Sequence, residues 1–123
     1  MMRFAIVLAT VLSLACDQDP LRLAERHVAG RYKLEQWEDG KTFYLVDDST
    51  RNEPGGAIDG TVERIGWTED FILVWRKGQM GPDGWIVLDP SKGIVAGPSA
   101  SINVALPPGF QILTAQEAWK ALR

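Results

Sequence analysis

The stretch "FILVWRKGQMGPDGWIVLDPSKGIVAG", Phe71 to Gly97, decides how the chain folds. It holds two continuous apolar runs, Phe71–Arg76 and Trp85–Asp89, each bounded by turn signals. Such runs read as strands buried on both faces, the central members of a sheet. Between them the Gly- and Pro-containing segment 77–84 is a loop. Asp89-Pro90-Ser91-Lys92-Gly93 is a tight turn, with Asp first, the preset φ of Pro second, and Gly at a position open to φ > 0. Ile94–Gly97 is then a short last strand.

The same texture extends toward the N-terminus. Tyr32-Lys33-Leu34 alternates, Asp39-Gly40 is a strong hairpin signal, and Thr42–Asp48 returns as the partner strand. Residues 49–56 form a loop in which Pro54-Gly55 is placed for a type II turn. Ala57–Trp67 is a further strand, with Gly60 or Gly66 marking a bulge or kink. About six short strands with turns between them make an antiparallel meander, a mainly β (α+β) fold.

Two helices flank this meander. Asp19 suits an N-cap, Pro20 the first helical position and Gly30 the stop, while Leu21, Ala24 and Val28 share a face at helical spacing. A short N-terminal helix is therefore expected over Asp19–Gly30, an ordered tether being the alternative. At the other end, "LTAQEAWKALR" has Thr114 as N-cap and Glu117 three residues on, a capping box. Ala118, Trp119 and Leu122 share a face, and Lys120 and Arg123 sit at the negative end of the dipole. Both helices are candidates to cover the solvent face of the two central strands. Pro107-Pro108 keeps the segment before the second helix extended.

Composition narrows the function. The chain has 123 residues, 46% hydrophobic and 24% charged, which fits one globular domain. Its net charge of −3 gives no electrostatic footprint for nucleic acid, and the longest basic run is only Arg76-Lys77. Five Trp is a high count for this length. Core and sheet packing accounts for most Trp, but Trp67, Trp75 and Trp85 lie in or beside strands and form a candidate ligand surface, since Trp faces suit sugars.

Residues for catalysis are scarce. His27 is the single histidine and Cys16 the single cysteine. A hydrolytic triad or a zinc site needs more than these supply. The carboxylate pairs Glu38-Asp39, Asp47-Asp48 and Glu69-Asp70 are neighbours in expected turns, where such residues are ordinarily solvated. The segment 47–55 has oxygen ligands but lacks EF-hand spacing. No catalytic residue, metal ligand or cofactor is expected, and the chain reads as a non-enzyme.

The N-terminus supplies the location. Arg3 and the terminal amine form a positive head, and Phe4 to Ala15 is an uncharged apolar run. A lasting span needs roughly 20 apolar residues, so this run reads as an export signal. Its end, Leu12-Ser13-Leu14-Ala15-Cys16, resembles the lipobox of bacterial lipoproteins, with Ser13 departing from the commonest Leu. The resemblance implies a diacylglyceryl group on the Cys16 sulfur and cleavage between Ala15 and Cys16. It also implies a mature protein held to a membrane by its lipid. A free thiol at an ordinary signal end is the alternative reading, and a lone cysteine there cannot form an internal disulfide.

Asp17 resembles the mark that retains enterobacterial lipoproteins in the inner membrane. Inner and outer membrane both stay open. The organisation expected is 1–15 as cleaved signal, 16–31 as lipidated Cys16, tether and helix, and 32–123 as one β-rich domain. That domain is similar in texture to small bacterial β-meander lipoproteins, on the "WIVLD" hairpin and the Gly97-Pro98 exit. The function expected is a non-enzymatic interaction protein of the cell envelope, periplasmic or on the outer face, with an accessory, inhibitor or immunity-type role and a protein partner. A small-ligand or glycan binder using Trp67, Trp75 and Trp85 is the alternative.

Overall fold

The computed structural model describes residues 24–123. The leader, the Ala15–Cys16 junction, Asp17 and the 19–23 part of the expected helix lie outside the described residues. The described chain is mainly antiparallel β, with eight strands in two sheets and one C-terminal helix.

The smaller sheet comprises β1 (Ala24–Ala29), β2 (Tyr32–Gln36) and β3 (Phe43–Val46) in that order. The larger contains β4 (Gly60–Trp67), β5 (Ile72–Gly78), β6 (Gly84–Asp89), β7 (Gly93–Ser99) and β8 (Leu113–Thr114). Its order is β7-β6-β5-β4-β8, which puts β5 in the centre and β6 beside it, as their apolar runs require. The helix, α1, spans Ala115–Ala121.

The expected N-terminal helix is a correction: Ala24–Ala29 is strand β1. A two-residue turn explains it. Ala29 pairs with Tyr32, leaving Gly30 and Arg31 as the loop, and Gly30 has φ 55. Glycine at the first position of a two-residue hairpin loop favours reversal of a strand as strongly as it favours a helix stop. Antiparallel pairing along β2, from Ala24 opposite Gln36 to Ala29 opposite Tyr32, then outweighs a weak local helical pattern.

One core lies between the sheets. Val28, Tyr32, Leu34, Phe43 and Leu45 face it from the smaller sheet, and Ile65, Ile72, Val74, Ile86 and Leu88 from the larger. The helix inserts Ala115, Ala118 and Trp119 into the same core, where the Trp119 ring lies 5.9 Å from that of Phe43. This also corrects the expected cover: α1 packs in the core rather than over the outer face of β5 and β6. On that outer face, the extended segment before β8 brings Phe110 to stack on Phe71 at 5.2 Å.

Local signals set the remaining elements. The expected capping box forms, with Glu117 N–H donating to Thr114 Oγ1 at 3.1 Å and Thr114 N–H to Glu117 Oε1 at 2.9 Å. Asp89 Oδ1 accepts from the Ser91 and Lys92 amides and closes the β6–β7 turn. Gly55 has φ 79 and ψ 1, the third-residue geometry of a type II turn. The bulge in β4 falls between Val62 and Arg64, however, and not at Gly60 or Gly66. Those glycines answer a different need: a Cβ on Gly60 would strike the Lys77 carbonyl, and one on Gly66 the Gln111 carbonyl and the Phe110 ring.

Candidate functional site

The β3–β4 loop makes the site. It is built from Asp47, whose side chain is buried. Asp47 Oδ1 accepts from the Ser49 and Thr50 amides, both at 2.9 Å, and from both hydroxyls. Arg31 Nε lies 3.1 Å from its other oxygen. Burial pushes the Asp47 carboxyl up, but the bonds from Ser49 and Thr50 together hold it below the usual carboxylate range. Turn bonds from Glu53 to Thr50 and from Gly56 to Glu53 then carry the loop back across the smaller sheet. A Cβ on Gly56 would collide with the Leu45 carbonyl, so glycine is what lets the loop lie so close.

Between loop and sheet is a groove of about 1030 Å³. Its floor is the outer face of the smaller sheet, and the register fixes its residues: Glu25 opposite Glu35, and Glu35 opposite Tyr44. Trp37 follows β2 and stands 5.5 Å from Tyr44, ring to ring, with 46% of its surface exposed. Arg51 reaches in from the loop. Its Nη1 donates to Glu25 Oε1 at 2.6 Å and its Nη2 to Asp48 Oδ1 at 2.9 Å.

Two carboxylates in this groove are left wholly or partly unpaired by the described residues, and Glu25 Oε2 is the fully buried acceptor among them. Glu35 is only 8% exposed and takes part in no hydrogen bond or ion pair with another described residue. Burial, with repulsion from Glu25, pushes its carboxyl above the ordinary glutamate value, and Arg51 only partly offsets this. Glu25 Oε2 is also buried without a partner. A buried acceptor left without a donor costs about 1–3 kcal/mol, so such atoms are rare in a fold unless something else satisfies them.

The sequence-derived candidates fall elsewhere. Trp75 and Trp85 are directly paired across β5 and β6 on the outer face of the larger sheet, half-buried, with ring centroids 5.2 Å apart at 75°. Trp67 is on the opposite face, packed against the core. The structure therefore brings two of the three together and separates the third. His27 is exposed on β1, its Nε2 2.8 Å from the Gly30 carbonyl oxygen. Asp39 caps its own loop through the Lys41 and Thr42 amides. Sequence reasoning does not single out Glu25, Glu35, Trp37 or Tyr44. The signal that could have found them is the Gly30-Arg31 hairpin, which sets Glu25 against Glu35.

Among the described residues no three His, Cys, Asp or Glu side chains gather to hold a metal ion, and no helix is long and apolar enough to cross a membrane. Comparison with protein-family models, curated proteins and solved structures found no significant match.

Proposed function

We propose that this chain is a lipid-anchored, non-enzymatic binding protein of the bacterial cell envelope, and that the groove over the smaller sheet is its recognition surface. The anchor reading is supported by the lipobox-like end of the leader at Ala15-Cys16. Acyl burial is worth about 0.8 kcal/mol per CH₂, and two or more chains on Cys16 hold a protein stably at a bilayer without a span.

One observation carries the recognition reading. Glu25 Oε2 is buried at the groove floor without a donor, opposite the largely buried Glu35, in a groove that the exposed Trp37 ring also lines. A ligand that supplies the missing donor offsets a desolvation cost the fold already bears. An accessory, inhibitor or immunity-type role fits a small domain that binds without turning over a substrate.

The glycan reading on the larger sheet has narrower support. Trp75 and Trp85 meet edge to face, which does not give two coplanar ring platforms, and Trp67 does not join them. Trp37, 46% exposed, offers more open ring surface than the half-buried Trp75 and Trp85.

Cys16→Ser tests the anchor. Labelled palmitate should enter the wild-type chain and not the variant, and the variant should accumulate as uncut precursor outside the membrane fraction. A variant that is cut and sediments like the wild type contradicts the anchor.

A further inference from the structure

We infer that the groove binds an alkylammonium group, seated between the Glu25–Glu35 pair and the Trp37–Tyr44 rings. The inference rests on the groove being the recognition surface and names what it recognises.

Four observations converge on this class. Glu35 is 8% exposed, lines the groove and accepts from no other described residue. Glu25 Oε2 is buried beside it and has no donor either. The one guanidinium that reaches the pair, Arg51, is committed to Glu25 Oε1 and to Asp48. Lys33, which also lines the groove, makes no ion pair with Glu35. The groove thus holds two carboxylates, Glu25 and Glu35, of which a described residue pairs only Glu25 Oε1, and the Lys33 ammonium in the same lining pairs with neither.

An ammonium is a compact cation with three donors, enough for both acceptors at once. Trp37 and Tyr44 add ring faces whose quadrupole attracts a cation, and their apolar surface suits an alkyl stem. A neutral sugar would bring hydroxyl donors but leave the charge uncompensated. A bare divalent cation would lack a third protein ligand, since no such trio gathers among the described residues.

The test uses the full-length chain in detergent micelles, with the Trp37 indole N–H followed by NMR. Cadaverine should shift that signal saturably, and Glu35→Gln should weaken binding at least tenfold. The isosteric 1,5-pentanediol should bind at least tenfold more weakly than cadaverine. Equal binding of cadaverine and pentanediol, or an unchanged affinity in Glu35→Gln, overturns the ammonium class and leaves the groove standing. A saturable shift with glucose but not with cadaverine does the same. If none of these probes moves the Trp37 signal while the fold is intact, the ammonium class fails. If position 37 also captures nothing in cells, the groove reading fails with it.

Discussion

Glu25 and Glu35 stand directly opposite each other across the β1–β2 ladder, yet Arg51 binds Glu25 and leaves Glu35 without a cation. The folded chain therefore holds a carboxylate that its own packing disfavours. Because the Glu35 carboxyl is raised by burial and by Glu25, the unfolded chain releases that proton first. Its contribution to stability is present below the ordinary glutamate value and is lost as pH rises through the raised value. Glu35→Gln should thus stabilise the domain at neutral pH by roughly 1 kcal/mol, a rise of about 4–8 °C in Tm. The gain should shrink as the medium is acidified into the carboxylate range. Thermal melts of both chains across pH check this, and a Gln variant that melts lower at neutral pH contradicts it.

Asp47 should behave in the opposite sense. Its hydrogen bonds from Ser49 and Thr50 hold its carboxyl low in the fold despite burial. Its stabilisation is present above the ordinary aspartate value and is lost as pH falls through the lowered one. Asp47→Ala removes an anchor used by two amides, two hydroxyls and Arg31, and should cost about 2–3 kcal/mol. Hydrogen exchange should accelerate over residues 48–56 before it does in β5. Uniform acceleration across the chain would show that the loop has no separate dependence on Asp47.

Arg26 ties the first described strand to the last element. Its guanidinium lies 4.3 Å from the centre of the Trp119 ring and donates to the Trp119 and Leu122 carbonyls at the end of α1. Those carbonyls have no partner within a helix that is ending there. Arg26→Ala should cost about 1–3 kcal/mol in denaturant melts. Arg26→Lys should recover only part of that, because one ammonium cannot reproduce the planar fork over the ring. Full recovery with Lys would mean that charge alone matters at this contact.

Gly66→Ala should be more damaging than its size implies. A Cβ there meets the Gln111 carbonyl and the Phe110 ring, so the segment that leads into β8 must move. A loss of about 1–3 kcal/mol is expected, with weakened pairing of Leu113 to Ile65. Gly40→Ala places its Cβ in open space and should cost less, its φ of 69 being the remaining objection. Equal losses at the two positions would contradict this reading of the packing.

Much of the fold is legible in the sequence because its signals are local. The apolar runs of β5 and β6, the Asp89 turn, the Gly55 turn and the Thr114–Glu117 box each depend on residues within a few positions of one another. The elements that escape a sequence reading depend on pairing at a distance. Ala24–Ala29 has helix-like spacing in isolation, and only β2 makes it a strand. β8 is two residues long and exists because Ile65 and Arg64 offer it an edge. The groove is illegible for the same reason. The carboxylate pairs visible in the sequence are neighbours, Glu38-Asp39, Asp47-Asp48 and Glu69-Asp70, whereas Glu25 and Glu35 meet through strand register. Trp75 and Trp85 meet in the same way, and β4 turns Trp67 to the other face.

The claim that the groove, rather than the Trp75–Trp85 face, is the recognition surface is tested most directly by crosslinking in cells. A photoreactive residue replaces Trp37 in one strain and Trp85 in another, and the adducts are weighed by mass spectrometry. A discrete adduct should form at position 37 and disappear when Glu35→Gln is added, with none from position 85. A discrete adduct from position 85 alone, or one from position 37 that is indifferent to Glu35→Gln, would contradict that claim.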